Sequence, residues 1–309
     1  MKGDVYIDGI DIFSAYGANI TDGLESLFLF PAIKEPESND WPEEDGVEVD
    51  LEKIHLQATD VTLTLFADNP EDLIAQISEP GYHTISVTKF EREWSFRFSS
   101  QTSNKTIKSM KYAGAFGLKF VIDDPVRPIL PDSYTPNTWV KDTGYYLDDI
   151  NFKSFGVEVY EGMDEIKKSP VVKQNLIRND ISIIDGQIYD TETLVFSGKD
   201  VSIKCLFVAS DMTNFWSCYN AFFAKLIEPG ERWLTVDSTS LTYPVYYKKS
   251  GSFKIRSSKN KVMIEFSLTL GFTSFRIEGR EYILAAEDGQ YFVTEDGLNY
   301  IDMNVYGRE

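Results

Sequence analysis

Apolar and polar residues alternate in short stretches along much of the chain, which is the pattern of half-buried β-strands. The alternation is clearest over Val61–Leu65 and Val201–Cys205, and it returns over Phe116–Phe120 and Phe266–Leu270. Val5–Ile12 also alternates and predicts one strand near the N-terminus. Together these stretches predict a mainly β (α+β) protein.

Two stretches have the period of an α-helix instead. The first is predicted to begin with Asn69 as N-cap and Pro70 as the first helical residue, and to end before the Pro-Gly pair at 80–81. The second begins near Thr213 and stops at the Pro-Gly pair at 229–230. Its apolar stripe is wider, so we expect the second helix to be buried more deeply.

The same series of predicted elements occurs twice. The matching segments are Gly17–Leu27 with Gly156–Ile166, Asp45–Val61 with Asp185–Val201, and Glu79–Val87 with Glu228–Val236. Matches in one order with small gaps indicate two copies of one domain, each with its own core. The predicted division is a first β domain (1–122), a proline-rich linker (123–145), a second β domain (146–275) and a C-terminal β-hairpin tail (276–309).

Three segments between these elements have distinct compositions. Residues 31–44 are acidic and rich in proline, which excludes a central strand. The linker holds four prolines within 124–143 and is predicted to be extended and semi-rigid. Within 286–300 the tail repeats Glu-Asp-Gly, a hairpin-turn signal that predicts a small strand–turn ladder.

The formal net charge of −19 is concentrated in the first copy. Residues 1–122 hold 21 acidic and 10 basic residues, whereas 146–275 hold 16 and 15. Ten of the acidic residues fall within 31–60. Such a surface repels phosphate backbones, which argues against sequence-specific DNA binding.

The one strongly basic stretch is Tyr246–Lys261, which has six basic residues and no acidic one. It could contact a nucleic acid or another anionic partner. A hairpin with a solvated basic tip is the favoured interpretation. A third possibility is a contact with the acidic region 31–60 of a neighbouring subunit.

Candidate catalytic chemistry is sparse. The two histidines, His55 and His83, align with Val195 and Arg232 of the other copy, which indicates structural roles. Cys205 and Cys218 are predicted to be buried free thiols, typical of a reducing site of synthesis. We therefore predict no enzyme, no catalytic residue, no cofactor and no metal ligand. A hydrolase with two converging carboxylates is the enzymatic alternative.

On these features the chain resembles the tail-tube fold of bacteriophage and prophage tails, which occurs in tail tube, distal tail and baseplate hub proteins. The resemblance lies in the opening segments Ser14–Gly17 and Lys153–Gly156, the helix and strand of Tyr219–Val236, and the repeated Glu-Asp-Gly of the tail. It implies two tandem tail-tube-like β-barrel or sandwich domains, each with one helix. Distal tail proteins more often join one such domain to a different one, and the duplication departs from that pattern.

The resemblance also implies a function. The expected role is a non-enzymatic distal tail protein, a tube-to-baseplate adaptor that forms a ring around a DNA channel. Its partners would be copies of itself in a trimer or hexamer, other tail proteins (tube, hub and tape measure) and phage DNA that passes without specific binding. The expected location is the virion tail, after assembly in the bacterial cytoplasm, with no membrane span. The alternative is a β-sandwich module that binds carbohydrate or a receptor at a tail tip or cell surface.

Overall fold

Two antiparallel sheets of seven strands each build the protein, which confirms the predicted mainly β fold. The computed structural model describes residues 3–106, 114–131, 133–173, 177–178, 185–186, 188–189, 194–239, 241–258 and 261–275. The predicted ladder within 286–300 lies outside the described residues. Residues up to Phe275 form one compact unit. The domain boundaries at residues 122 and 145 stay predictions.

The first sheet belongs to the first copy. Its strands are β1 (Val5–Ile7), β2 (Ile10–Asp11), β3 (Asn19–Asp22), β6 (Thr59–Ala67), β7 (His83–Val87), β8 (Arg92–Thr106) and β9 (Gly114–Ile122). Across the sheet their order is β2-β1-β7-β8-β9-β6-β3. A separate hairpin, β4 (Ser38–Asn39) with β5 (Glu48–Val49), lies in the long loop between β3 and β6.

The second sheet repeats the first. Its strands are β10 (Tyr145–Leu147), β11 (Ile150–Asn151), β12 (Val157–Glu161), β15 (Lys199–Ala209), β16 (Arg232–Val236), β17 (Leu241–Ser258) and β18 (Val262–Phe272). The order β11-β10-β16-β17-β18-β15-β12 matches the first sheet strand for strand. The long loop again holds a hairpin, β13 (Ile177–Arg178) with β14 (Ile188–Tyr189). The two copies therefore have one topology.

The duplication extends to irregular details. The β8–β9 pairing shifts register just after Phe98, and the β17–β18 pairing shifts just after Tyr247. Asp8 and Asp148 both have a positive φ, 50° and 47°. Each carboxylate accepts a 2.8 Å bond from a backbone N–H, that of Thr84 or Trp233. These shared details align the residues of the two copies at these strands and turns.

Each copy has two α-helices, not the single one predicted. They are α1 (Ile12–Tyr16) and α2 (Pro70–Ile77) in the first copy, and α3 (Met163–Lys167) and α4 (Met212–Leu226) in the second. Short 3₁₀ helices span Leu24–Phe28, Thr88–Phe90 and Phe152–Phe155. The missed helices α1 and α3 have five residues each, which is too short to show a helical period.

The two long helices begin and end close to the predicted positions. Pro70 occupies the first turn of α2, as expected, but the Asn69 side chain makes no bond to the helix backbone. In α4 the equivalent Asp211 does cap the helix, since its carboxylate accepts from the N–H of Asn214 at 2.7 Å. Nine residues of α4 are buried against two of α2, so the deeper burial of the second helix is confirmed.

The prediction of one strand over Val5–Ile12 is wrong. The chain reverses at Asp8 and Gly9, which both have positive φ, so that β1 pairs with β2 in a tight hairpin. Asp-Gly is a favoured sequence for a two-residue hairpin turn of this kind. The alternation continues through the turn by chance, which is why periodicity alone did not separate the two strands.

Candidate functional site

The histidine at position 83 lies in an ion pair at the start of β7. Its Nδ1 is 2.7 Å from the Asp8 carboxylate, and its Nε2 is 3.1 Å from the carbonyl of Glu79. Burial opposes the charged form, but the Asp8 hydrogen bond and the Glu79 carbonyl outweigh burial and raise the pKa of His83. In the second copy Arg232 pairs with Asp148 in the same way, at 2.9 Å. The pair connects the first hairpin to the sheet.

The two thiols are enclosed, and His55 is exposed. Cys205 lies on β15 and Cys218 on α4, and both are buried. Burial raises the pKa of Cys218 to about 11 and that of Cys205 further, so both stay protonated at neutral pH. His55 contributes only its backbone carbonyl, which accepts from the N–H of Lys34 at 2.7 Å. None of these groups is near a second group that could activate it among the contacts of the described residues.

An acidic cleft of about 1130 Å³ lies between the β4–β5 hairpin and the turn that follows α4. The carboxylates that line it are Glu37, Glu48, Asp50, Glu52 and Glu231. Within the described residues, no group of three or more His, Cys, Asp or Glu side chains is arranged to hold a metal ion. The cleft gives the junction of the two copies a negative surface.

The most extensive side-chain cluster joins the two copies. Phe28 stacks on Trp216 of α4 at 5.3 Å between ring centroids, and Phe30 stacks on Phe223 at 4.3 Å. The Trp216 indole N–H donates to the carbonyl of Phe90 at 2.7 Å. Aromatic burial of this kind is the strongest source of interface energy in proteins. The contact is therefore part of the buried core of the chain and not an exposed surface.

Residues 29–58, named here the first arm, extend this contact over the second copy. Its backbone bonds to that copy begin with Ile33 N–H to the Lys248 carbonyl at 3.0 Å. Further along, Val47 N–H donates to the Thr273 carbonyl at 2.8 Å, and the Leu51 carbonyl accepts from Gly230 at 2.9 Å. The first arm, which includes the acidic loop 31–44, is thus bonded to the second copy at Ile33, Val47 and Leu51.

One buried lysine fixes the tip of the first arm. The Lys173 ammonium is 2.5 Å from the Asp40 carboxylate and donates to the carbonyls of Trp41, Glu44 and Gly46 at 2.7–2.8 Å. Gly46 has φ +82°, and a Cβ there would lie 1.9 Å from the Thr273 carbonyl. Only glycine fits where the arm crosses the second copy.

The basic stretch forms the β17–β18 hairpin that the favoured interpretation predicted, with residues 259–260 outside the described part. Lys248 pairs with Asp200 at 2.8 Å and also lies within electrostatic reach of Glu35 of the first arm. Arg256 pairs with Glu265 at 2.7 Å. The acidic and basic regions therefore already meet inside one chain.

A smaller cavity of about 120 Å³ lies beneath the start of the linker, between the copies. Arg92 lines it, with its guanidinium 4.2 Å above the Trp216 ring, and burial lowers the pKa of Arg92. The hydroxyl of Thr59 also lines it and has no hydrogen-bond partner. The cavity is too small for a cofactor.

Little in the amino-acid sequence predicts this junction. Phe28 and Phe30 carry large apolar side chains just before a polar, proline-rich loop, and that is the one signal of a buried contact there. No helix in the described residues is long and apolar enough to cross a membrane.

Comparisons with known proteins leave the family open. No family model matches the chain. No curated protein matches it in sequence. Among solved structures, the chain aligns with the Dit protein (gp 19.1) of SPP1, described as a paradigm of the hub adsorption apparatus in phages infecting Gram-positive bacteria. The alignment covers 87% of this chain and 98% of that one, at 9% identity and a TM-score of 0.28. A likeness this loose shows neither the family nor the function of the chain.

Proposed function

We propose that the chain is a non-enzymatic structural protein of a phage or prophage tail, an adaptor between tail tube and baseplate that forms a ring around the DNA channel. The observation that carries the proposal is the pair of sheets with one strand order, joined by a permanent aromatic contact. A chain with two equivalent copies at a fixed angle can supply two neighbouring positions of a ring. Three such chains would give a pseudo-sixfold ring.

The distribution of charge supports this role. The first arm and its cleft keep their carboxylates at the surface of the junction, and the chain as a whole carries −19. A negative channel wall repels the phosphate backbone, which allows DNA to pass without being bound. The proposed partners are copies of the chain, the tube, hub and tape-measure proteins, and DNA in transit. The proposed location is the virion tail, after assembly in the host cytoplasm.

The side chains of the described residues support the non-enzymatic part of the proposal. The thiols are enclosed and protonated, and His83 is held in an ion pair. The carboxylates of the large cleft lie in an open groove that water enters freely, which is a poor setting for acid–base catalysis. Hydrolase activity in the purified protein that is lost on changing Glu231 to Gln would overturn this part.

Electron microscopy of the purified full-length chain, with its native mass, tests the proposal. The expected result is rings with a central hole and a mass that is a multiple of 35.2 kDa. Monomers at every concentration from micromolar to hundreds of micromolar would overturn it. A glycan array run on the same sample tests the carbohydrate-binding alternative. The exposed aromatic residues in the described part of the chain are Phe13, Trp41, Tyr82, Trp139, Tyr160 and Trp233.

A further inference from the structure

In the second copy, the loop that corresponds to the first arm is described at residues 168–173, 177–178, 185–186, 188–189 and 194–198, and these residues are named here the second arm. The two arms have equivalent backbones at their bases. Ile33 bridges to Leu56 in the first arm, and Val172 bridges to Phe196 in the second. Both contain an Asp-Gly turn with positive φ at glycine, 82° at Gly46 and 83° at Gly186. The contacts of equivalent residues in the two arms can therefore be compared.

The two arms differ in what surrounds them. A Cβ at Gly46 would collide with the second copy, whereas a Cβ at Gly186 would meet nothing within 4 Å. Val171 is 70% exposed, while its counterpart Ala32 is partly covered. Gly46 of the first arm is packed on a protein surface, whereas Gly186 and Val171 of the second arm are open.

A pair of lysines shows the same asymmetry. Lys173, at the base of the second arm, is buried because its ammonium reaches the Gly46 turn of the first arm. Lys34 is its counterpart in the first arm, since both follow the bridged residue and donate a backbone N–H to an equivalent carbonyl. The Lys34 side chain is exposed. Lys173 thus binds the Gly46 turn of the other copy. The equivalent turn for Lys34 is at Gly186, and Lys34 makes no such contact with it in the described structure.

The surfaces that would receive the arms are also paired. Tyr247 is fully buried because the first arm covers it, and its hydroxyl donates to the carbonyls of Phe30 and Pro31 at 3.1 and 3.0 Å. Phe98 holds the same place before the shared register shift on β8, and it is only half-buried. The first copy therefore presents an uncovered version of the surface on which the first arm packs.

We propose that the second arm of one chain packs on the first copy of another chain, in the manner in which the first arm packs on the second copy within each chain. Lys34 of the second chain then donates to the carbonyl of the Gly186 turn, as Lys173 donates to that of Gly46. The contact is head-to-tail, so repetition closes a ring or extends a filament. The inference rests on the proposed self-assembly and gives it an interface.

The composition of the two uncovered surfaces fits a contact that forms between soluble chains. Lys167 and Ser169 stand where the first copy has Phe28 and Phe30. On the receiving side, α2 has Glu71 and Asp72 in its first turn, whereas the first turn of α4 has no acidic residue. Charged side chains on both surfaces keep the free chain soluble. Their opposite signs make the contact reversible and sensitive to salt.

The first test compares three lysine-to-methionine variants of the full-length chain by native mass spectrometry and light scattering. Lys34→Met is expected to weaken self-association at least tenfold with no change in unfolding. Lys173→Met should lower stability. Lys53→Met changes an exposed lysine of the same arm and should leave association and stability as they are. An unchanged oligomer in Lys34→Met would overturn the inference.

The second test identifies the two faces by charge reversal. Lys167→Glu with Lys168→Glu, and separately Glu71→Lys with Asp72→Lys, should each give monomers, and the four changes together should restore the oligomer. Lys249→Glu with Lys254→Glu is a control of equal charge on the basic stretch and should leave the oligomer intact. The proposed faces would be overturned if the Lys249→Glu, Lys254→Glu control dissociated, or if the fourfold variant did not regain the oligomer. A wild-type chain that never associates would overturn the proposed function as well.

Discussion

At the scale of single residues, the junction of the two copies depends on polar groups that have no alternative partner once buried. The ammonium of Lys173 is the clearest example, because three backbone carbonyls and one carboxylate converge on it. A buried charge is tolerated only when its hydrogen bonds are complete. The arm tip is held in one conformation by that requirement.

Changing Lys173 to Met should therefore destabilise the protein by about 1–3 kcal/mol, because the buried carbonyl of Gly46 and the part-buried carbonyls of Trp41 and Glu44 lose their donor. Urea unfolding followed by circular dichroism would measure it. Lys204→Met is the matched control, because Lys204 pairs with Glu161 while about half of each side chain is exposed. That variant should change stability by about 0.5 kcal/mol or less. Equal effects in both variants would contradict the role given to Lys173.

The ion pair at position 83 predicts a pH dependence that the other copy lacks. The pKa of His83 is raised above its ordinary value of 6.5 by Asp8 and the Glu79 carbonyl, against the effect of burial. Its stabilisation is complete below pH 6.5 and is lost as the pH rises through the raised pKa. Unfolding free energy should fall across that range in the wild type.

The second copy supplies the control for this prediction. Arg232 holds the position equivalent to His83 and stays charged throughout. His83→Arg should therefore remove the fall in stability above pH 6.5. Denaturant unfolding of both proteins at a series of pH values makes the comparison. A fall of the same size in the His83→Arg variant would assign the pH dependence to other groups.

At the scale of elements, the first arm contributes to the core of a copy to which it does not belong. Phe30 is 4% exposed, and its ring lies between Phe223 of α4 and Tyr247 of β17. Phe30→Ala should cost about 3–5 kcal/mol, as for other fully buried phenylalanines. Phe13, which is 40% exposed, is the control, and Phe13→Ala should cost about 1 kcal/mol or less. Thermal and denaturant unfolding would both report the difference.

The elements divide into those that local pattern predicts and those that it cannot. The strands at Val61–Leu65 and Val201–Cys205 were predicted correctly because one face of each is buried inside its own copy, which fixes a period of two. The helices α2 and α4 were recognisable by apolar period and by their Pro-Gly endings. The hairpin turn at residues 8–9 was missed because it interrupts no alternation.

The path of the first arm cannot be predicted from the sequence, for a different reason. Its bonds to the second copy run to residues 127 or more positions away, such as Lys173, Tyr247 and Thr273, and nothing in a local window shows such partners. Lys173 looked like any surface lysine, because its burial depends on a loop from the other copy. The candidate junction therefore appears only when the two copies are placed together, whereas the duplication itself is visible in the sequence.

At the scale of the whole molecule, the two copies have kept one topology and diverged at the positions through which the first copy contacts the second. The first copy has aromatic residues at Phe28 and Phe30, and the second has Lys167 and Ser169 at the same positions. An apolar contact suits surfaces that never separate. A charged contact suits surfaces that come together after the chain has folded. The chain thus has one permanent junction inside it, and the proposed junction between chains is of the reversible kind.

A permanent internal junction makes a direct prediction about the linker. Ile129 and Leu130 are 82% and 52% exposed, so a protease site inserted between them should be cut readily. The two halves should then remain together in size-exclusion chromatography at the mass of the uncut chain, because the aromatic contact and the arm bonds hold them without the peptide link. The same cut in a chain with both Phe28→Ala and Phe30→Ala should let the halves separate. Separation of the cut wild type would show that the linker, and not the aromatic contact, holds the copies at their fixed angle, and the ring proposed from that angle would lose its basis.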